Sequence, residues 1–391
     1  MFRLFFVIVT LLFPSAQSIA IEFNSGSNGS FGAILIEEDT VIDLPPDGII
    51  HATTITINPE TRLEFKRNEL NTPVYLLATG DIIIDGEISI SANGRLGGPG
   101  GFDGGMKYNS ETLSSGAGYG PGAGLGGSSY EGGNAGFKVR ASHYYSPSNS
   151  YVFGPLDGKA YGNTLLVPII GGSGGGGSTS GEGGGGGGAI VVASNTAIIF
   201  DKAGNGLSLG YGNTRGVGVI KTFTSRTTGA GSGGAVRLVA PSVIGEGYIG
   251  DTGVFIDSFS NGPSEGRSRI DVINRLDVQT RADSIGSFMQ VFPPVNSRLD
   301  IIEVAGNNIP EGTSNEFVVT LPINTPTQQT IIVQGRDFVG TVPVRIVVTP
   351  DTGEPIVTDT QLDMSSGTPA TVTIDVDLPQ NIPMRVHAWT M

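Results

Sequence analysis

Three histidines are the first residues to test for chemistry, because His is the commonest metal ligand and general base. His51, His143 and His387 lie in three different regions of the chain, with none of the short spacings that zinc-binding histidines use. The chain contains no Cys, which removes disulfides, thiolate zinc sites and Cys nucleophiles. We therefore expect no metal site and no cofactor.

Carboxylates are the next candidates, since glycoside hydrolases use two of them about 5–10 Å apart. Asp81, Asp85 and Glu87 form the densest local group. Asp81 and Asp85 each stand beside a Gly at an expected turn, where Asp commonly bonds its own backbone. The polygalacturonase motifs Asn-Thr-Asp, Asp-Asp, Gly-His-Gly and Arg-Ile-Lys are absent. We expect a structural role for these acids and no catalytic residue.

Two further patterns offer little chemistry. The Ser residues at 173 and 232 lie between glycines, which is linker composition without the strand-to-helix elbow of a hydrolase. A mixed-charge segment alternates cations and acids, and we expect it to form a solvated, self-paired surface rather than a lyase site. Its members are Arg267, Arg269, Asp271, Arg275, Asp277, Arg281 and Asp283.

An aromatic segment, Phe137–Val167, is the best candidate for recognition of a partner. Exposed Tyr offers a flat apolar face and a hydroxyl, which suit sugar rings and protein surfaces. Two alternatives stay open: the rings fold inward and anchor the segment, or the segment is disordered. The candidate binding patch consists of His143, Tyr144, Tyr145, Tyr151, Phe153 and Tyr161.

Charge and the first residues set the compartment. A net charge of −14 disfavours nucleic acid and anionic lipid as partners. Residues 1–20 have a short basic start, the apolar run Leu4–Phe13, and small residues before a cut after Ala20, with Ser18 as the alternative site. This pattern predicts a secretory signal peptide. No later stretch is long enough to span a membrane, so we expect a secreted or cell-surface protein, with the periplasm as the alternative.

Short strands must position these residues. Between 21 and 94 the chain contains β-branched segments of a few residues, separated by Gly, Pro, Asn or Asp. A frame of an apolar strand ending in Ala, a second strand and a Gly turn recurs at 74, 189 and 235. We predict an all-β protein whose residues 21–290 form a parallel β-helix, or solenoid, with a β-sandwich as the alternative.

Glycine, with 62 residues, dominates an insertion at about 94–188. Flexible loops are the expected state, because glycine tracts bury little apolar area. The alternative is packed, extended polyglycine helices of the kind found in phage tail-tip adhesins, although a signal peptide is unusual for a phage protein. Residues 296–391 follow the junction Phe292-Pro-Pro and show seven alternating strand segments. That count predicts an immunoglobulin-like β-sandwich.

The glycine runs before Ala-Ile strands, the phrase Thr79-Gly-Asp-Ile and the run Gly233-Gly-Ala-Val-Arg-Leu resemble a loose group of exported bacterial glycine-rich β-helix proteins. Members of that group continue into a β-sandwich after a similar Pro-Pro junction. The resemblance implies architecture and no activity, because the group has none assigned.

Two function classes follow from this organisation. The first is an exported, non-enzymatic surface or matrix protein that is adhesive or binds glycan or protein, with self-association left open. The alternative is a polysaccharide-active β-helix enzyme, either a lyase or a glycoside hydrolase, which rests on analogy of fold. We expect the first class. Carboxylates converging in a groove would favour the second.

Overall fold

The protein is all-β in the part of the chain that can be described. A computed structural model describes residues 23–107, 116–127, 132–136, 143–145, 150–152, 156–200, 219–221, 229–245, 248–250, 266–275, 282–293, 295, 297–313, 317–351 and 355–391. Strands and irregular segments account for all of these ranges, and none of them contains a helix. Accordingly, the described residues contain no helix that is long and apolar enough to cross a bilayer.

The N-terminal part contains two sheets in which every pairing is parallel. The first sheet consists of β1 (Gly32–Ile36), β3 (Ile49–Ile57), β5 (Val74–Ala78), β6 (Ile82–Ile84), β10 (Ala189–Ser194), β11 (Ala197–Phe200), β13 (Ala235–Gly245), β15 (Arg267–Arg275) and β16 (Ser284–Gly286). The second sheet consists of β2 (Thr40–Asp43), β4 (Arg62–Lys66), β7 (Glu87–Ser89), β12 (Val219–Lys221) and β14 (Tyr248–Gly250).

The expected parallel β-structure is thus confirmed, but the strand pairings also close a ring. The six strands β3, β5, β10, β13, β11 and β6 form a closed parallel ring in place of a simple open series. The ring closes because β3 and β13 are long and each pairs with two short strands: β5 pairs with Ile49–Ala52, and β6 pairs with Ile55–Ile57. β10 and β11 pair with β13 in the same way.

The two parallel sheets share one core of inward aliphatic side chains. Ile57 and Ile84, which are neighbours in register on β3 and β6, are both fully buried in it. The outer face of the first sheet is covered as well, because Phe23, Tyr161 and Val291 pack on it. Burial on both faces explains why Ala189–Ala193 of β10 is continuously apolar and why β13 departs from this in its buried half only at Arg237, where a half-exposed strand would alternate.

The glycine-rich segments pack against one another through their backbones. The segment 171–177 lies among its neighbours and donates hydrogen bonds to several of them. Gly172 and Gly175 donate to Gly187 and Gly184 of one neighbour, so the donor moves three residues forward along the chain while the acceptor moves three residues back. A three-residue repeat is the period of a polyproline II helix, which polyglycine also adopts. The expectation of flexible loops is therefore wrong for the described residues.

Only glycine fits these contacts. A Cβ atom on Gly176 would lie 1.8 Å from the carbonyl oxygen of Leu125, and one on Gly174 would lie 1.9 Å from that of Asp103. We call this backbone-bonded bundle the glycine core. Its segments are 94–105, 116–127, 132–136, 171–188 and 229–234.

The C-terminal part is a sandwich of two four-stranded antiparallel sheets around its own core. The first of these sheets has the order β18 (Asn307–Asn308), β17 (Arg298–Val304), β20 (Gln328–Arg336), β23 (Ala370–Asp377). The second has the order β19 (Val318–Thr320), β24 (Pro383–Thr390), β21 (Thr341–Pro350), β22 (Ile356–Asp363).

The sandwich expectation is correct, but the immunoglobulin strand order is not found. With the two-residue β18 set aside, the remaining strands can be lettered A to G in chain order. Immunoglobulin domains pair them as ABED and CFG, whereas here the sheets are A-C-F and B-G-D-E. Alternating side chains define strands and faces, but the pairing order depends on how the connections cross, which the alternation does not encode.

A buried ion cluster fixes the junction between the two parts. Asp271 accepts hydrogen bonds from Arg237 and Arg269, and all three side chains are buried. Arg237 also donates to the carbonyls of Phe288 and Gln290, at 2.7 Å each. Within the alternating segment, Arg269 and Asp271 are self-paired as expected, but they are buried under the junction instead of solvated. Asp277 and Arg281 lie outside the described residues.

Candidate functional site

Several segments of the glycine core end close to one another, around Gly177. Gly177 donates to the carbonyl of Gly116, Gly127 donates to that of Gly177, and Gly183 donates to that of Gly105. A Cβ on Gly132 would lie 2.0 Å from the carbonyl oxygen of Gly176. We call this the loop end; it is formed by Met106, Gly116, Gly127, Gly132, Gly177 and Gly183.

The connections that leave the loop end have sequences unlike the glycine core. Residues 107–115 read KYNSETLSS, residues 128–131 read SSYE and residues 178–182 read STSGE. The first two connections lie outside the described residues except for Lys107. In the third, Ser178 and Gly181 bond each other's backbones, and Ser178 Oγ accepts from the amide of Ser180 at 3.0 Å. Hydroxyl-rich and Tyr-bearing segments thus start and finish at one end of a rigid bundle.

Most of the sequence-predicted patch lies on a small hairpin that follows segment 132–136 of the glycine core in the chain. The strands β8 (His143–Tyr145) and β9 (Ser150–Val152) pair antiparallel, and Tyr144 is the register partner of Tyr151. The chain rejoins the glycine core at Leu156, whose carbonyl accepts from the amide of Leu125. The hairpin therefore brings His143, Tyr144, Tyr145 and Tyr151 into two adjacent strands. Phe153 lies outside the described residues.

Tyr161 is placed elsewhere and acts as an anchor. Its side chain is buried against the outer face of the first sheet, and its hydroxyl donates to the carbonyl of Gly171 at 2.6 Å. Burial raises the pKa of the Tyr161 phenol, although hydrogen bonds to Ser173 and Ser232 act in the opposite direction. In this structure Tyr161 is therefore not part of an exposed patch, and the inward alternative describes it correctly.

A second candidate site is a cavity of about 400 Å³ on the polar face of the second sheet. β4 and β7 pair with Arg62 beside Glu87 and Glu64 beside Ser89, while Leu63 and Ile88 face the core between them. Alternation along the strands therefore places all four polar residues on one face. The lining includes Arg62, Glu64, Phe65, Ser89, Ile90 and Asn93.

Arg62 is held between two carboxylates in this cavity. Its Nε and Nη2 atoms lie 2.8 Å from Oε1 of Glu87, and its Nη1 atom lies 2.9 Å from Oε1 of Glu64. Glu87 is only 1% exposed, whereas the side chains of Arg62 and Glu64 are 35% and 41% exposed. Burial alone would lower the pKa of Arg62, but Glu87 and Glu64 outweigh this effect and raise it.

The remaining sequence candidates, Asp81, His51 and His387, each contact neighbouring residues of the fold. Asp81 accepts a hydrogen bond from the hydroxyl of Thr196 on the next strand pair. The Nδ1 atom of His51 accepts from the amide of Asn28, and His387 stacks on Trp389. No group of three potential metal ligands is found among the described residues. Sequence reasoning missed Arg62 and Glu64, which alternate with buried residues in register with Glu87-Ile-Ser.

Comparison with known proteins adds no name to either site: no protein-family model, curated protein or solved structure matches the chain.

Proposed function

We propose that this chain is an exported, non-enzymatic cell-surface or matrix protein that binds glycan or protein through the loop end and the neighbouring hairpin. The observation that supports this most is the convergence of Ser-, Thr- and Tyr-bearing connections on Gly177 of the glycine core. The glycine core is bonded mainly through its backbone and contributes few side chains of its own. It does hold the ends of its connections at fixed separations, which lowers the entropic cost of binding.

The arrangement of the parallel strands supports an elongated platform. We propose that one long or two short consecutive strands of the first sheet, together with the strand of the second sheet that follows them, form one turn of a solenoid. The pairs β1 and β2, β3 and β4, and β13 and β14 follow one another in the chain. Both sheets stack these turns in the same order, with β7 beside β4 and β12 beside β7. The ring in the first sheet then reflects long strands lying beside interrupted ones.

Export is supported by the first twenty residues. They combine a basic start, the apolar run Leu4–Phe13 and small residues at Ser18 and Ala20. Mass spectrometry of the exported protein is expected to show Ile21 at the N-terminus. A chain that keeps Met1 and stays in the cytoplasm would contradict this part of the proposal.

The binding function is tested by an attachment assay with a double variant. Tyr144→Ala combined with Tyr145→Ala should reduce attachment of the purified protein to cells or extracted surface polysaccharide at least tenfold, with unchanged thermal unfolding. Phe31→Ala is the matched control, because Phe31 is an exposed aromatic on the turn before β1. Equal attachment of the double variant and the wild type would contradict the proposal.

The cavity provides the one observation that favours the alternative, a polysaccharide-active enzyme, because Glu64 and Glu87 both converge on Arg62 in its lining. Acid-base hydrolysis needs one protonated and one ionised carboxyl group. Both side chains are instead held in ion pairs with Arg62, Glu64 at 2.9 Å and Glu87 at 2.8 Å. Release of reducing ends or unsaturated products from surface polysaccharide, abolished by Glu64→Gln, would establish the enzyme instead.

A further inference from the structure

The cavity between β4 and β7 has the chemistry of a small ligand site that is separate from the loop end. We propose that it binds one uncharged sugar ring. This deepens the proposed binding function by naming a ligand class at a second position. Three features of the cavity support this: the fixed geometry of Arg62, the charge of the Arg62, Glu64 and Glu87 cluster, and the balance of donors and acceptors in the lining.

The side chain of Arg62 is held in place by a buried carboxylate on the adjacent strand. Its Nε and Nη2 atoms are held by Glu87, a carboxylate that is 1% exposed, and Glu87 is in register with Arg62 on the adjacent strand. A ligand that meets Arg62 therefore does not have to order a long flexible side chain, which normally weakens binding through an Arg. A solvated surface pair would leave Arg62 free to move.

The charge of the cavity selects against ions. Arg62 supplies one positive charge, and Glu64 and Glu87 supply two negative charges, so the cluster is net negative. An anionic ligand is repelled by this negative charge. A metal cation has no set of three His, Cys, Asp or Glu ligands in the described part of the chain. An uncharged ligand avoids both costs.

The lining matches a molecule in which every polar group both donates and accepts. Arg62 donates, Glu64 accepts, and Asn93 can do both, while the Ser89 hydroxyl already donates to Ser91. Sugar hydroxyls have this dual character. Phe65 and Ile90 also line the space, but they are buried in the shared core at 6% and 1% exposure, so a ring would be recognised through its hydroxyls. The volume of about 400 Å³ falls at the small end of ligand pockets, as one ring requires.

The test is titration of the mature full chain with methyl β-D-glucopyranoside, methyl β-D-galactopyranoside and the methyl glycoside of glucuronic acid, followed by NMR or calorimetry. At least one neutral glycoside should bind with a Kd on the order of 1 mM, and the uronic acid at least tenfold more weakly. Glu64→Gln should weaken neutral glycoside binding about tenfold while leaving the Arg62–Glu87 pair in place. The Glu64→Gln variant should also show a smaller difference in affinity between neutral and acidic glycosides than the wild type does.

Two controls separate the outcomes. Glu38→Gln changes an exposed acid in the turn after β1 and should leave glycoside binding unchanged. The Tyr144 and Tyr145 double variant should keep glycoside binding while losing attachment. The absence of glycoside binding, preference for the uronic acid, or equal effects of Glu38→Gln and Glu64→Gln would overturn the proposal. Tyrosine-dependent attachment could survive each of these results, so the two proposals fail separately.

Discussion

Arg345 of the sandwich donates from Nη1 to the carbonyl oxygen of Pro121 in the glycine core, at 2.6 Å. The Arg345 side chain is buried, and its other nitrogens form a bidentate pair with Asp359 at 2.6 and 2.8 Å. Lys159 lies 3.8 Å from the same carboxylate. One buried guanidinium therefore joins the C-terminal sandwich to the bundle that presents the loop end.

We expect Arg345→Ala to destabilise the protein by about 1–3 kcal/mol, because it removes a charge-assisted pair and leaves a carbonyl group without its donor. The control is Arg385→Ala, since Arg385 pairs with Asp351 in a more exposed position. That change should cost less than about 1 kcal/mol. Chemical unfolding followed by circular dichroism measures both. Similar losses for the two variants would show that the Pro121 contact contributes nothing.

The same pair predicts a pH dependence. The hydrogen bonds from Arg345, aided by its charge and by Lys159, lower the pKa of Asp359. A carboxyl whose pKa is lower in the folded state stabilises the fold fully above its unfolded pKa of about 3.9. That stability is lost as the pH falls through the folded value, so the window lies below about pH 4. Asp359→Asn should make the unfolding midpoint depend less on pH over this range than it does in the wild type. An unchanged pH profile would refute the linkage.

The close packing of the glycine core predicts that replacing one glycine hydrogen with a methyl group strongly destabilises the fold. Gly176→Ala places a Cβ 1.8 Å from the Leu125 carbonyl oxygen, so two backbone segments must separate. We expect loss of more than about 4 kcal/mol or failure to fold. Gly340→Ala is the comparison: it has φ +73° but nothing within 4 Å of the added methyl, so it should cost about 1–2 kcal/mol. Thermal unfolding decides, and equal shifts in Tm would mean that the bundle is not close-packed.

The parallel core predicts different tolerance at neighbouring positions of β6. Ile84→Asp buries an unpaired carboxylate in the shared core, where Ile84 is fully buried, and should unfold the N-terminal part. Ile83 faces the other way and is partly exposed, so Ile83→Asp should be milder by at least about 2 kcal/mol. Soluble yield and denaturant midpoints measure the difference. Comparable damage from both changes would argue against the observed register.

The sequence predicted the strands well because alternation and Gly boundaries are local signals. Each predicted segment of the tail overlaps an observed strand, from β17 to β24. It could not predict their pairing order, which depends on connections between distant segments. It also favoured loops for the glycine tracts, since the three-residue repeat of Gly172 and Gly175 leaves no mark in a run of identical residues.

The sites show the same limit. Tyr144 and Tyr151 could be selected from composition, but Tyr161 could be assigned to the interior only from the packing around Gly171. Arg62 and Glu87 are separated by about two strands of sequence and meet only because β4 and β7 pair in register. A parallel sheet brings such residues together without any local motif.

The central claim is that the glycine core is an ordered, hydrogen-bonded scaffold for the connections at the loop end. Hydrogen–deuterium exchange of the full chain tests it most directly, because amide protection reports bonding of the backbone itself. Peptides covering 171–177 and 183–188 should exchange as slowly as those covering β10 and β13. Exchange of the glycine peptides within seconds, while β10 and β13 stay protected, would contradict the account.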